Sequence, residues 1–202
     1  MNISEIFYSL QGEGRNQGAP CLFIRLAGCN LHCRYCDTEY ALTGGTEMDA
    51  EAILSEVSHA NPWLVCITGG EPLLQADALI PVLEELRRRG IVVEIETNGT
   101  LDFITLQPYA TICMDVKCPS SGEESDLSLL PKIREVDSVK FVVSGEDDCR
   151  YAREVMSVHT IKGEVFFSPV YGADTEPIVR FIVRNDLPVR FQLKLHKIVG
   201  VK

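Results

Sequence analysis

The group best suited to chemistry in this sequence is a run of three thiols, Cys29-Asn30-Leu31-His32-Cys33-Arg34-Tyr35-Cys36. Spacings of four and three residues in a polar loop let the sulfurs converge. Converging thiolates select soft metals: zinc, copper(I) or an iron-sulfur cluster. Structural zinc sites and electron-transfer clusters usually close with four ligands, so a three-thiol loop points to a metal with one position left open for chemistry. A small structural zinc knuckle completed by His32 or Asp37 is the competing reading of the same residues. A disulfide framework fits poorly, because Met1-Asn2-Ile3-Ser4-Glu5 has neither the basic nor the apolar part of a secretory signal, and a reducing compartment is expected.

The other five of the eight cysteines are of a different kind. Cys21, Cys66 and Cys113 sit in or beside apolar runs, where a thiol behaves as a small hydrophobe. Cys118 precedes a proline and Cys149 lies in a charged helical stretch. No second pair at zinc-finger spacing accompanies the loop.

The elements that must hold the loop alternate between two periods. Strands are expected at 5–10, 21–27, 63–68, 91–96, 111–116, 138–143, 164–167 and 189–195. Helices are expected at 49–60, 75–89, 127–134, 147–158 and 175–184. The helix at 75–89 carries Arg87-Arg88-Arg89 in its last turn and stops at Gly90, so these arginines read as a match to the helix dipole and not as a phosphate site. The segment Gln11-Gly12-Glu13-Gly14 after the first strand reads, taken alone, as an ordinary turn with a solvated Glu. Neither nucleotide-binding glycine fingerprint is present. Repeated strand-then-helix order predicts a parallel sheet with helical crossovers, and 202 residues fall short of the roughly 250 of a complete eightfold barrel. An open, partial parallel β/α barrel of about six strand-helix units, forming a single domain over 1–202, is therefore expected.

In such barrels the site lies at the C-terminal strand ends. The unusual residues fall there: the cysteine loop, Gly69-Gly70-Glu71-Pro72, Glu96-Thr97-Asn98-Gly99, Asp115-Val116-Lys117, Ser144-Gly145 and Ser168-Pro169-Val170. The Cys-x3-Cys-x2-Cys loop, with Tyr35 before its last thiol, and the Gly-Gly-Glu-Pro segment resemble the signatures of radical S-adenosylmethionine enzymes. The segments 7–14, 23–31, Cys36-Asp37-Thr38 and Leu195-His196-Lys197 resemble, more narrowly, the ring-contracting 7-carboxy-7-deazaguanine synthases of queuosine and archaeosine biosynthesis.

That resemblance implies a 4Fe-4S cluster on Cys29, Cys33 and Cys36, and S-adenosylmethionine chelating the fourth iron. Tyr35, Asp37, Gly70, Thr97, Asn98 and Lys117 are expected to line the cofactor, with Glu71 near its ammonium and Asp115 and Ser144 beside it. Leu10, Gln11, Gly12, Glu13, Arg25 and Thr68 are expected to contact a carboxylated pterin, with His196 and Lys197 closing its pocket. Arg25 would pair with the pterin carboxylate. Thr38 matches a magnesium contact. The resemblance also implies an electron donor such as flavodoxin or ferredoxin, and a homodimer. A glycyl-radical-enzyme activase shares the cysteine spacing but would need an open cleft for a protein substrate.

Composition narrows the classes further. A formal charge of -10 argues against direct nucleic-acid binding. No apolar run is long enough for a bilayer, and the chain is expected in the cytoplasm.

Overall fold

Each central strand carries an apolar face and a polar face, and the computed structural model, which describes residues 1–202, turns these faces to opposite sides of one sheet. The strands are β1 (Asn2–Leu10), β2 (Pro20–Leu26), β3 (Thr46–Glu47), β4 (Leu64–Gly69), β5 (Val92–Thr97), β6 (Thr111–Lys117), β7 (Ser138–Val143), β8 (Glu164–Pro169) and β9 (Arg190–Phe191). Their order is β3-β1-β2-β4-β5-β6-β7-β8-β9, so the sheet is open. From β2 to β9 every pairing is parallel. The open, mainly parallel β/α architecture expected from the sequence is present.

Helices α1 (Ala50–Ala60), α2 (Ala76–Arg88), α3 (Glu146–Val158) and α4 (Glu176–Arg184) provide crossovers, and α5 (Leu195–Val199) is a single short turn near the end of the chain. The main core lies between sheet and helices. Leu22, Ile24, Leu26, Val65, Ile67, Val93, Ile95, Ile112, Met114, Val139 and Phe141 pack there against Ile53, Val57, Leu79, Leu83 and Leu86. The alternate residues point to the concave side: Cys21, Phe23 and Arg25 from β2, Cys66 and Thr68 from β4, Glu94 and Glu96 from β5, Lys140 and Val142 from β7. The period of two thus separates an apolar outer face from a chemically loaded inner one.

Local chemistry sets the element ends. Asp49 caps α1, its side chain accepting from Ala52 N at 2.8 Å, and Asn61 closes the helix in the left-handed region at φ 46°. Asp137, fully buried before β7, accepts from Ile112 N at 2.9 Å, from Arg134 N at 2.9 Å, and from the Arg134 guanidinium at 2.7 and 2.9 Å. It ties the starts of β6 and β7 together.

The structure departs from the sequence expectation in several places. β1 runs antiparallel to β2, and the two-residue β3, not visible in the pattern, pairs with its outer edge. The segment expected as a helix at 127–134 is a 3-10 helix, Leu127–Lys132, because Pro131 has no N–H for an α-helical bond. The crossover from β5 to β6 has no regular helix. The strand expected at 189–195 shrinks to Arg190–Phe191: Gln192 N still bonds Phe167 O, but Leu195 N is drawn to Gly12 O at 3.0 Å and the chain leaves the sheet. No helix is long and apolar enough to cross a membrane.

Replacing Asp137 by Ala would leave two buried or half-buried backbone N–H groups, those of Ile112 and Arg134, and the half-exposed Arg134 guanidinium without their acceptor, and is expected to cost roughly 2–3 kcal/mol in urea unfolding. Burial acts to raise the Asp137 carboxyl, but Arg134 and the two backbone donors outweigh it and hold the group below its usual 3.8. Its contribution is therefore present above pH 4 and lost as pH falls through the lowered value, so wild type and Asp137→Asn should converge in stability at the acid end of a pH series.

Candidate active site

At the C-terminal ends of the parallel strands lies a cavity of about 280 Å³. Cys29, Cys33, Cys36, Leu10, Gln11, Gly12, Glu13, Arg25, Tyr35, Asp37, Thr38, Thr68, Gly70, Thr97, Asn98, Asp115, Lys117, His196 and Lys197 all line it. Glu71 and Ser144 stand outside the lining.

The cysteine loop sits at the rim. Cys36 N bonds Cys33 O at 3.1 Å, Asn98 Nδ2 donates to Cys29 Sγ at 3.8 Å, and Thr38 Oγ1 lies 3.8 Å from Cys36 Sγ. All three thiols are free and half-exposed. The set of metal-ligating side chains whose atoms all lie within 4.8 Å of one another is Cys66, Glu94 and Glu96; the loop thiols do not form such a set. A zinc ion with bonds of about 2.3 Å would gather its thiolates more tightly than that. Three thiols that face one cavity fit a cluster held by three cysteines with a fourth position open. Burial raises the Cys33 thiol, with the Lys117 ammonium opposing it and Cys36 adding to it.

Beside the thiols, the strand ends are laced together. Gly70 N bonds Leu26 O at 3.1 Å and Glu71 N bonds Gly28 O at 2.8 Å, and a Cβ on Gly70 would lie 2.0 Å from that same oxygen. The fully buried Glu71 accepts from Leu73 N, Thr97 Oγ1 and Asn98 N at 2.9, 2.9 and 2.7 Å. Its oxygens are spent on fixing the Thr97-Asn98 corner, which accounts for its position behind the wall. Asn98 then reaches Asn30 Oδ1 at 2.9 Å. Ser144 donates through both N and Oγ to Asp148, fastening β7 to α3. The Tyr35 hydroxyl donates to Val142 O at 3.3 Å.

Opposite the thiols, Phe7 and Phe23 stack with centroids 4.9 Å apart and planes 8° from parallel. Arg25 lies over Phe7 and gives its Nε to Glu5 at 2.9 Å, which leaves its terminal nitrogens to a ligand. Tyr40 also holds Glu5, at 2.8 Å. His196 packs against Gly12, where a Cβ would lie 1.8 Å from Nδ1, so only glycine admits the imidazole.

A chain of alternating charges crosses the cavity. Lys117 Nζ is 3.2 Å from Asp115, Lys140 Nζ 3.1 Å from Asp115 and 2.6 Å from Glu13, and Lys194 Nζ 3.6 Å from Glu13 and 2.6 Å from Asp37. Glu13 is buried here and not a solvated turn residue, which corrects the reading of its segment in isolation. Burial opposes its charge, but Lys140 and Lys194 hold the carboxyl far below its usual range. The same balance of burial against Glu13 and Asp37 holds Lys194 up to about 12. Burial lowers His196.

Sequence reasoning did not select Glu96, Lys140, Lys194, Phe23 or Tyr40 as site residues, although all line the cavity. For Lys140 and Glu96 a signal existed: each is a charge at an inward position of a strand otherwise apolar enough to be central.

Comparison with known proteins agrees with this geometry. The Radical SAM superfamily model matches residues 23–114. A 7-carboxy-7-deazaguanine synthase of Methanospirillum hungatei is 50% identical over 201 residues, spanning 100% of this chain and 86% of the relative. One of Koribacter versatilis is 37% identical, over 98% and 96% of the two chains. The crystal structure of QueE from Escherichia coli superposes with a TM-score of 0.79 at 26% identity, covering 96% of this chain and 94% of that one. Identity of this extent along the whole sequence means that the chain belongs to the 7-carboxy-7-deazaguanine synthase family, within the radical S-adenosylmethionine superfamily.

Proposed function

We propose that this protein is a lyase that contracts the ring of 6-carboxy-5,6,7,8-tetrahydropterin to 7-carboxy-7-deazaguanine with release of ammonia, in 7-deazapurine biosynthesis. The observation that carries this reading is one cavity with three free thiols on one side and a guanidinium over an aromatic wall on the other. Cys29, Cys33 and Cys36 would hold a 4Fe-4S cluster, and Tyr35, Asp37, Gly70, Thr97, Asn98, Asp115 and Lys117 would surround S-adenosylmethionine. When bound, these cofactors supply the one-electron chemistry that generates an organic radical.

The chain's own residues do the rest. Arg25, oriented by Glu5, pairs with the substrate carboxylate, while Phe7 and Phe23 offer an apolar wall to a flat ring. Gln11, Thr68 and Glu96 present polar atoms to the ring's edge. Glu71 and Ser144 act indirectly, by positioning the Thr97-Asn98 corner and the β7 end. Leu10, Gly12 and Glu13 line the substrate side, and His196 and Lys197, on α5, keep water from the reacting atoms. A cavity of this size supports a small-molecule substrate over the protein substrate of a glycyl-radical-enzyme activase.

The Thr38 hydroxyl, between the cluster loop and the substrate side, is read as a magnesium contact completed by substrate oxygens and water. The protein is further read as a single-domain homodimer in the cytoplasm, reduced by a flavodoxin or ferredoxin. Eight free cysteines support a reducing compartment.

The test is an anaerobic assay of the reconstituted, reduced protein with S-adenosylmethionine and the carboxypterin, followed by mass spectrometry. Carboxydeazaguanine formed only with both present is the expected result; cofactor cleavage without it would sink the substrate assignment. Alanine at Cys29, Cys33 or Cys36 should abolish the cluster's visible absorbance and the bound iron. Arg25→Ala should raise KM for the pterin at least about tenfold, from loss of a charge-assisted pair, and lower cofactor cleavage much less. Turnover measured with and without added magnesium should show a stimulation in wild type that Thr38→Val loses; equal stimulation in both would remove Thr38 from the ion.

A further inference from the structure

At the cavity floor and just behind it, Cys66, Glu94 and Glu96 bring a thiol and two carboxylates within 4.8 Å of one another. Such a trio invites a metal reading, but hydrogen-bond donors already occupy it. Gln11 Nε2 is 2.8 Å from Glu94 Oε1 and 3.4 Å from Glu96 Oε1, Asn16 Nδ2 is 2.8 Å from Glu94 Oε2, and Thr68 Oγ1 is 3.0 Å from Glu96 Oε2. The Gln11 amide is oriented independently, since its Oε1 accepts from Glu13 N. Four N–H and O–H donors aimed at the carboxylates would oppose a cation; those from Gln11 and Asn16 favour a charged Glu94, and burial with the neighbouring Glu96 outweighs them.

The charge around Glu94 is unbalanced. The titratable groups facing it are Cys21 from β2, Cys66 from β4, Glu96 on its own strand, Cys113 from β6 and Lys140 from β7, with Glu13 of the loop after β1 facing Glu96. Lys140 is the one cation among them, and Glu13 and Asp115 already claim it at 2.6 and 3.1 Å. Glu94 is 2% exposed and does not line the cavity, whereas Glu96 does. Two carboxylates this close, with no cation of their own, cannot both remain charged at low cost.

We propose that Glu94 is a proton-carrying positioning residue: in its neutral form it holds the Gln11 carboxamide in place and leaves Glu96 as the one ionised acceptor that substrate meets on the cavity floor. The proposal rests on the function given above only for the substrate, an anion through its carboxylate, which an additional buried negative charge would disfavour. Burial first, then Glu96, pushes the Glu94 carboxyl up to about 7, so the proton is labile in the physiological range. As pH rises through that value Glu94 ionises and substrate affinity falls; by linkage, substrate binding above it draws a proton in.

The experiment is calorimetric titration of the carboxypterin into the anaerobic, cluster-loaded enzyme at pH 7.5, in two buffers of different ionisation enthalpy. Wild type is expected to take up more than about half a proton per substrate, and kcat/KM is expected to fall about tenfold between pH 6 and 8. Glu94→Gln should bind with almost no uptake and lose that fall, while Glu94→Asp should recover part of both. Zero uptake in wild type overturns the proposal. So does uptake that persists in Glu94→Gln, which would put the proton on His196. Binding with the expected uptake but no deazaguanine on turnover would refute the function and leave the Glu94 proton standing; no binding at all would refute both.

Discussion

One ammonium group, Lys140 Nζ, holds the centre of this molecule. It lies almost fully buried on β7, 2.6 Å from Glu13 and 3.1 Å from Asp115, and so joins the loop after β1 to the middle of the parallel sheet. A carboxylate left buried without a cation costs several kcal/mol, and here two share this one. Their other oxygens turn outward to Lys117 and Lys194, and through Lys194 to Asp37 inside the cysteine loop. The cysteine loop and the loop after β1 are thereby parts of one ion-paired structure. Removing charge at any link leaves each neighbour with one partner fewer, so mutational effects along this chain should be far from additive.

The antiparallel hairpin at the sheet edge gives the other half of the site. β1 registers on β2 so that Phe7 faces Phe23 and Glu5 faces Arg25. One pairing thus produces both the aromatic wall and the oriented guanidinium. The C-terminal segment then crosses from β9, anchored by Leu195 N on Gly12 O and by Gln17 Nε2 on Leu193 O, to bring His196 onto Gly12 and Lys194 onto Glu13 and Asp37.

Much of this was legible in the sequence, for physical reasons. The thiol spacing, the Gly-Gly-Glu-Pro turn and the strand-helix alternation are local patterns, and local patterns set element type and loop chemistry. The cysteine assignment followed the same logic: Cys21, Cys66, Cys113, Cys118 and Cys149 are all buried. What could not be read were properties that depend on distant partners. Glu13 looks solvated until Lys140, 127 positions away, is brought to it. Lys194 has no local signature at all, and the direction of β1 depends on a pairing that its own alternation does not encode. The shortening of the last strand likewise follows from a bond to Gly12, at the other end of the chain.

The burial of those five thiols bears on how the protein acquires its metal. Each is fully enclosed, whereas Cys29, Cys33 and Cys36 stand partly open at the cavity rim. Iron and sulfide arriving at the folded chain therefore meet three sulfurs and no competing set, and an oxidant meets the same three first. The fold sorts eight chemically identical side chains into inert packing and one accessible set of three at the cavity rim, so that selectivity among the thiols is a by-product of the hydrophobic core.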